Sequence, residues 1–352
     1  MTSPDPRAGD PSDRDPSDRD SSDRDSSDRD PRVGDLRESE ILRRILGRFR
    51  PSTALVGPGD DAAVLDLAGG AVVATVDTLV HGPDFRLAWS SGFDLGWKAA
   101  AVNLADVAAM GARPVALLVA LAMPDDTRIS FVEDLADGLR AACDALAPGC
   151  AVEGGDLTVS DTLTVAVTAL GASTGAPVRR FGARVGDAVA LAGAAGDAAR
   201  GLGILFSRFR DAAGTPVPVD DAQLTPAERA SVAAQLRPHP PIVQGPAAAH
   251  AGATAMMDVS DGLLLDATRM ADASGVTLDL DPGALGPDAD TALTGGEDHA
   301  LLATFPPGAL PAGFRAIGTV RERGAHALLV AGAPFAGRTG WDPYRDWDSS
   351  LG

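Results

Sequence analysis

The chain has 352 residues, 45% of them hydrophobic, and a formal net charge of −19; this length favours about two domains of ~150 residues. The negative charge argues against nucleic acid or an anionic membrane surface as a partner. No apolar run of about 18 residues occurs, so no membrane span is expected. The start, Met-Thr-Ser-Pro-Asp-Pro, lacks the regions of a signal peptide, and a cytoplasmic location is the default expectation.

The numbers and positions of cysteine, lysine and histidine exclude or disfavour several kinds of functional site. Cys143 and Cys150 are the only cysteines, too few for a disulfide framework, and Cys143 lies on an apolar helical stripe that predicts a core position. Lys98 is the only lysine, and it follows Trp97, so a Gly-Lys-Ser/Thr phosphate-binding loop is excluded. The five histidines are scattered, which disfavours a histidine-rich zinc site.

The N-terminal segment is a repeat. Residues 11–30 are four tandem pentapeptides of the type Pro/Ser-Ser-Asp-Arg-Asp, without an apolar residue. Because such a segment has nothing to bury, residues 1–36 are predicted to be a disordered tail. The folded part is predicted to begin near Glu38, where Ile41 and Ile45 belong to a helical apolar pattern.

Beyond the tail, helical and strand-like patterns mix without strict alternation, which predicts an α+β protein in two halves. The predicted strands are 71–76, 115–122, 163–170, 188–191, 253–257 and 276–280. The predicted helices are 92–111, 130–146, 197–209, one from Thr225 and one up to Gly275. Ser130 and Glu133 have the spacing of a capping box, and Pro226 suits the first position of a helix.

Acidic residues recur where apolar runs end. The clearest case is Met257-Asp258-Val259-Ser260-Asp261-Gly262, which predicts a strand, a turn and a helix with carboxylates at the junction. Four more cases are Gly59-Asp60-Asp61, Thr75-Val76-Asp77, Glu153-Gly154-Gly155-Asp156 and Gly295-Gly296-Glu297-Asp298. Each alone could be a helix cap, but together they favour sites for hard divalent cations. Asn103 and Asp106 share one helix face, as either a solvated stripe or a pair that faces a site.

Taken together, these motifs resemble the thiamine-monophosphate kinase family, which belongs to the aminoimidazole ribonucleotide synthetase-like superfamily. The resemblance runs from about residue 38 to the end, and its order is Gly59-Asp60-Asp61-Ala62, Val76-Asp77-Thr78, the helix from Lys98 to Gly111, Gly154-Gly155-Asp156, Asp258-Val259-Ser260-Asp261 and Gly295-Gly296-Glu297-Asp298. It implies that 37–175 is an N-terminal ATP- and Mg²⁺-binding domain whose sheet pairs across a homodimer. It implies that 176–352 is a C-terminal α+β domain over the active site.

The resemblance also implies roles for individual positions. Magnesium would be bound by Asp61, Thr75, Asp77, Asp106, Asp156, Asp258 and Asp261. ATP would be contacted by Gly155, Asp156, Arg180 and Ser260, and the acceptor by Asp84, Glu297 and Trp341. No residue is expected to act covalently; Asp61, Asp77, Asp106 and Asp258 would support the transfer. The chain departs from the family pattern at Val76 (often Ser or Thr), Asp84 (commonly His) and His299 (Tyr).

The implied activity is ATP-dependent phosphorylation of thiamine monophosphate to thiamine diphosphate by direct in-line transfer, with several Mg²⁺ ions. Because the acceptor is a phosphate that is largely ionised at neutral pH, catalysis requires positioning and charge neutralisation rather than a strong base. Two alternatives stay open. One is another ATP-using superfamily member, although the reactive Cys of selenophosphate synthetase or of the hydrogenase-maturation dehydratase is absent from the sequence. The other is a non-catalytic nucleotide-binding relative, suggested by Val76 and Asp84.

Overall fold

The computed structural model describes residues 30–52, 70–173 and 175–341. The helices are α1 (Glu38–Leu46), α2 (Gly92–Ala109), α3 (Ile129–Leu146), α4 (Asp197–Arg208), α5 (Pro226–Leu236), α6 (Gln244–His250), α7 (Leu263–Ser274) and α8 (Ala289–Thr294). The strands are β1 (Ala71–Val80), β2 (Arg113–Met123), β3 (Ala151–Val159), β4 (Thr164–Ser173), β5 (Ala188–Ala192), β6 (Ala255–Val259), β7 (Thr277–Leu280), β8 (Ala300–Phe305), β9 (Arg315–Arg321) and β10 (Leu328–Val330).

The strands form two sheets, and the predicted α+β class is confirmed. The first sheet has the order β1-β4-β2-β3, and the second has the order β10-β7-β9-β5-β8-β6. One hydrophobic cluster contains both Ala101 of α2 and Met256 of β6, so the two sheets share core packing. The division at residues 175 and 176 therefore stays a proposal. No helix in the described ranges has the length and apolar character needed to cross a bilayer.

Helix α2 lies at the centre of the N-terminal half. It begins with a capping box in which Ser91 and Asp94 bond each other's backbone N–H groups. Nearly all of its residues are buried, because it packs between the first sheet, α3 and the second sheet. A Cβ atom at Gly96 would lie 2.0 Å from the carbonyl oxygen of Leu135 on α3. The close approach of α2 and α3 therefore requires a glycine at this position.

Strand β1 is longer than predicted, so Asp77 lies inside the strand rather than at its end. Successive side chains point to opposite faces of a strand, and Thr75 and Asp77 are half-buried on the face toward α2. Val72 and Val76 lie on the opposite face and are 54% and 61% exposed. The first sheet thus has a covered face and an outer face that carries exposed apolar side chains.

The second sheet is covered on both faces. Met256 belongs to the cluster that contains α2, whereas Met257 and Val259 belong to a second cluster with α7. Asp258 lies between Met257 and Val259 in β6, so its side chain points away from α7 and toward α2. The predicted strand, turn and helix are confirmed: β6 leads into α7, which ends at Gly275 in the left-handed conformation.

The folded part begins earlier than the predicted boundary at residue 36. Val33 is only 6% exposed and belongs to the main core. The carboxylate of Asp30 accepts hydrogen bonds from the backbone N–H and the hydroxyl of Ser130, at 3.0 and 2.9 Å. The predicted capping box at Ser130 and Glu133 is therefore wrong: α3 begins at Ile129, and Glu133 instead pairs with a guanidinium of the α1 region. Cys143 and Cys150 are buried free thiols, which confirms the core prediction for Cys143.

Candidate active site

Three carboxylates from separate elements lie close enough between the two sheets to interact electrostatically: Asp77 on β1, Asp106 on α2 and Asp258 on β6, here called the carboxylate cluster. The hydroxyl of Thr75 donates to Asp106 Oδ2 at 2.8 Å. The backbone N–H of Asp77 donates to Asn103 Oδ1 at 3.0 Å. Asn103 and Asp106 are therefore a pair that faces the site, which answers the question that the sequence left open.

The carboxylate cluster is short of positive charge. Burial, together with the charges of Asp258 and Asp77, raises the pKa of Asp106 to about 7. Burial also raises the pKa of Asp77; the charge of His299 opposes this rise, and the charges of Asp258, Asp261 and Glu297 add to it. Like charges that are held together in a partly buried site favour protonation of one of them. A cation bound in the cluster would reduce the same repulsion between carboxylates.

The turn between β6 and α7 is held by two residues that the sequence analysis did not select. Asp266 is fully buried, and its Oδ2 accepts from the backbone N–H groups of Ser260 and Asp261, both at 3.1 Å. Arg269 Nη1 donates to Asp261 Oδ2 at 2.6 Å and to Asp266 Oδ1 at 2.7 Å. Burial, with Asp258 and Asp261, raises the pKa of Asp266 to about 6. A carboxylate in the first turn of α7, followed three residues later by an arginine, was the available signal.

The loop that precedes β8 packs against this turn. A Cβ atom at Gly296 would lie 2.2 Å from the carbonyl oxygen of Ser260, and the N–H of Glu297 donates to that oxygen at 2.9 Å. Glu297 and His299 both have positive φ angles, of 72° and 53°, a conformation that costs energy in a non-glycine residue. His299 Nδ1 lies 3.1 Å from Asp258 Oδ2, while its Nε2 is buried without a partner among the described residues. The loop thus delivers a histidine to the carboxylate cluster.

A second group of charges lies beside the carboxylate cluster. Lys98 of α2 forms an ion pair with Glu297. Burial alone would raise the pKa of Glu297, but the charge of Lys98, with smaller contributions, holds it below its ordinary value. Asp84 Oδ2 accepts from the N–H of Val80 at 2.7 Å, and burial raises the pKa of Asp84 while Glu297 adds to the rise and Lys98 opposes it. Asp84, Lys98 and Glu297 therefore share one electrostatic environment.

Trp341 also reaches this region through its backbone. Its N–H donates to the carbonyl oxygen of Asp261 at 2.9 Å. The residue is 40% exposed, and the guanidinium of Arg338 lies 5.4 Å from the centroid of its ring. The structure therefore brings the backbone of Trp341, like that of Glu297, to the turn at Ser260 and Asp261.

Asp156 does not join the carboxylate cluster within one chain. It lies on β3 beside Ala120 of β2, which lies beside Ala166 of β4, which in turn lies beside Thr78 of β1. Paired residues point to the same face of a sheet, so Asp156 lies on the outer face with Thr78, opposite Asp77. It is also at the other edge of the sheet.

The remaining predicted positions are dispersed. A Cβ atom at Gly155 would lie 2.0 Å from the carbonyl oxygen of Val119, so the packing of β3 on β2 is enough to require a glycine there. Arg180 is exposed and follows Arg179, whose carbonyl accepts from the N–H of Met256 on β6 at 2.9 Å. Asp61 lies outside the described residues.

The carboxylate cluster fits a magnesium ion by its chemistry. In the part of the chain that the structure describes, no three His, Cys, Asp or Glu side chains already converge on one ion position. Apart from His299, which is hydrogen-bonded to Asp258, the donors near the cluster are the oxygens of Thr75, Asp77, Asp106 and Asp258. Such oxygens suit a hard cation that keeps part of its water shell. The neighbouring carboxylates contribute to the raised pKa values of Asp77 and Asp106, and a bound cation would offset that part of the rise.

Comparisons with known proteins identify relatives of this chain. Residues 59–173 match the family model described as AIR synthase related protein, N-terminal domain. The chain is 39% identical over 341 residues to the thiamine-monophosphate kinase of Mycobacterium tuberculosis, which covers 92% of this chain and 96% of that relative. The solved thiamine-monophosphate kinase of Stenotrophomonas maltophilia is 32% identical, with a TM-score of 0.66, over 84% of this chain and 95% of that one.

A second solved structure, AaThiL complexed with AMPPCP and TMP, is 29% identical with a TM-score of 0.69, over 88% of this chain and 98% of that one. The relatives are therefore matched over nearly their full length. The extent of this identity, with the fold and the shared motifs, shows that the chain belongs to the thiamine-monophosphate kinase family of enzymes.

Proposed function

We propose that the protein transfers the γ-phosphoryl group of ATP to thiamine monophosphate and releases thiamine diphosphate and ADP. The observation that carries this proposal is the pairing of an unneutralised carboxylate cluster with the ion-paired group of Lys98, Glu297 and Asp84 in one site. The first suits metal-bound phosphates, and the second suits an acceptor that has both an anionic and a cationic part. The relatives named for this activity support the same conclusion.

The transfer would be a single in-line step. An oxygen of the acceptor phosphate forms a bond to the γ-phosphorus of ATP. The bond from that phosphorus to the bridging oxygen breaks, and its electron pair stays on ADP. Because the second pKa of a phosphate monoester is about 6, the attacking oxygen carries no proton at neutral pH. The side chains therefore position and neutralise two anions rather than move a proton.

Several Mg²⁺ ions would neutralise the phosphates and hold them in place when bound. We propose Thr75, Asp77, Asp106 and Asp258 as their ligands, with Asp61, Asp156 and Asp261 as further ligands. Asp261 is paired with Arg269, so it is available to a metal only if that guanidinium is displaced or shared. Ser260, Gly155, Asp156 and Arg180 are proposed to contact ATP.

We also propose a homodimer that forms through the outer face of the first sheet. That face carries exposed Val72 and Val76, and exposed apolar surface of this kind is typical of protein interfaces. Asp156 lies on the same face, so its proposed role with ATP and metal is linked to this pairing. The site would be incomplete in a monomer.

A cytoplasmic location remains a prediction from the sequence.

The acceptor is proposed to lie against Asp84, Glu297 and Trp341. Asp84 replaces a residue type that donates hydrogen bonds, and an ionised carboxylate only accepts them. We therefore place it near the cationic thiazolium of the acceptor rather than near its phosphate. The exposed ring of Trp341 offers a surface on which an aromatic ring could stack.

The purified full-length protein should be incubated with Mg²⁺, thiamine monophosphate and ATP that is labelled in its γ-phosphate. The proposal expects the label in the terminal phosphate of thiamine diphosphate, with one ADP formed per product and no turnover after treatment with EDTA. ATP binding without labelled product would favour the non-catalytic relative. Transfer of label to other acceptors alone would favour a different member of the superfamily.

A further inference from the structure

Lys98 is a singular residue in this chain. It is the only lysine among 352 residues, and it is 5% exposed on the central helix α2. A lysine is almost never buried unless its charge is paired. All other side chains with a permanent positive charge in this chain are arginines. A lysine at this position therefore indicates a need for a compact ammonium with rotatable donors rather than a planar guanidinium.

The immediate partners of Lys98 hold its ammonium in place but use only two of its three N–H donors. Its Nζ pairs with the Glu297 carboxylate. The side-chain amide of Gln235 makes two hydrogen bonds in its favourable orientation. Its oxygen accepts from Lys98 Nζ at 3.2 Å, and its nitrogen donates to the carbonyl oxygen of Ala198 at 3.0 Å. An ammonium has three N–H donors, so these two contacts leave one for a further acceptor. Among the described residues, no other acceptor is assigned to it.

The position of Lys98 places that donor at the acceptor end of the site. Lys98 and Asp106 lie on the same helix, eight residues or ~12 Å of helical rise apart. Asp106 belongs to the carboxylate cluster, whereas Lys98 acts electrostatically on Glu297 and Asp84. His299 lies between the two ends, bonded to Asp258 and influenced by the charge of Lys98.

We propose that Lys98 is a catalytic residue whose ammonium binds the phosphate group of thiamine monophosphate. This inference rests on the proposed function and adds the residue that receives the acceptor anion. The acceptor phosphate must approach Glu297, and the charge of that carboxylate repels it unless a cation lies at the same place. Lys98 supplies that cation through its third N–H, while Glu297 and Gln235 hold the ammonium in position. The bonds made and broken at phosphorus are those of the in-line transfer, and Lys98 gives up no proton.

The single lysine allows a direct binding test by NMR. Protein that is labelled only at lysine side chains gives one signal of this type, and the signal is assigned by its loss in Lys98→Arg. With Mg²⁺ present, thiamine monophosphate should shift the signal strongly, whereas thiamine, which lacks the phosphate, should leave it nearly unchanged. AMPPCP alone should also have little effect. Equal shifts with thiamine and thiamine monophosphate, or no shift with either, would overturn the proposal even if the enzyme is active.

Kinetics provide the second arm. Lys98→Met should raise KM for thiamine monophosphate by about tenfold to a hundredfold, the loss expected for one charge-assisted hydrogen bond, and leave KM for ATP within about twofold. Lys98→Arg should restore part of the loss, because it keeps the charge. A wild-type protein that makes no thiamine diphosphate would instead refute the proposed function, while the NMR result would still stand.

A double variant separates binding from folding. Lys98→Met leaves the charge of Glu297 unpaired, which can lower stability without any role in catalysis. In Lys98→Met combined with Glu297→Gln, both charges are absent, so the melting temperature should return toward that of the wild type. Because Glu297 is itself proposed to contact the acceptor, the single variant Glu297→Gln is the reference. The proposal expects KM for thiamine monophosphate to be about tenfold or more higher in the double variant than in Glu297→Gln. Equal KM values in these two variants would mean that Lys98 only balances Glu297.

Discussion

The carboxylate cluster and the group around Lys98 belong to one site but balance charge in opposite ways. At Asp106 and Asp77, burial and mutual repulsion raise the pKa values. At Glu297, the adjacent ammonium lowers the pKa despite burial. We propose that cations from solution neutralise the first region, whereas the second carries its own cation, Lys98. This difference suits a reaction in which a metal-bound polyanion meets an acceptor that has charges of both signs.

The largest effect should come from removing charge at the metal end. Asp106→Asn and Asp258→Asn should each lower kcat by about 10²–10³, the loss typical of one electrostatic group at a transferring centre. The metal-free variants should melt no lower than the wild type, because each removes a charge from a repulsive cluster. Steady-state kinetics and thermal melts would measure both.

Asp126→Asn is a matched control, because Asp126 is exposed in the turn before α3. This variant should leave kcat and the melting temperature unchanged. If Asp106→Asn kept wild-type kcat, or if it were clearly destabilised without metal, the metal end would not be a site that awaits cations.

A smaller effect is expected at the acceptor end. Asp84→Asn should raise KM for thiamine monophosphate by about twofold to fivefold, as for one partly exposed charge pair, with KM for ATP unchanged. The turn should survive, because the amide oxygen of asparagine can still accept from the N–H of Val80. An equal rise in both KM values would place Asp84 outside the acceptor pocket and would weaken the contrast between the two ends.

The pH dependence of stability should also distinguish the two regions. Asp106 has a pKa of about 7 in the fold against an ordinary value of 3.8. Between these values the folded state binds more protons than the unfolded state, so the free energy of unfolding decreases as pH rises. Asp266, with a pKa of about 6, acts in the same direction. The metal-free protein should therefore melt a few degrees lower at about pH 8 than at about pH 5.

Two comparisons test the cause of this pH dependence. Mg²⁺ should reduce the slope by neutralising the cluster, and Asp106→Asn should reduce it without metal. A metal-free melting temperature that rises across the same window would contradict the raised pKa of Asp106. Asp126→Asn, as the control, should keep the wild-type slope.

The smallest effect is expected far from both regions, at the N-terminus. Deleting residues 2–28 should leave activity and melting temperature unchanged, since the repeat has no apolar side chain to bury. Deleting residues 2–36 should lower the melting temperature by a few degrees, because it removes buried Val33 and the contacts of Asp30 with Ser130. Neither truncation should alter the ratio of the two KM values. A change in that ratio would connect the tail to the site.

Local features of the chain were predictable from the sequence. The strand, turn and helix from Met257 to Gly275 follow from an apolar run, a glycine and helical periodicity, which act between near neighbours. The helix from Gly92 and its end at Gly111 follow in the same way, as do Thr225 and Pro226 at the start of α5. The motif set was also sufficient to suggest the family and most of the residues that the structure brings together.

The tertiary structure alone determined which of these residues meet. Asp77, Asp106 and Asp258 come together because β1 and β6 both pack on α2, and no spacing along the chain encodes that packing. Asp156 is excluded from the cluster of its own chain because the side-chain face depends on strand register. Lys98 and Glu297 are far apart in sequence and form their pair only after the loop before β8 packs on the turn at Ser260. Hydrophobic periodicity and capping residues in the sequence reflect interactions between near neighbours in the chain. The site depends instead on contacts that form only when the two halves fold together.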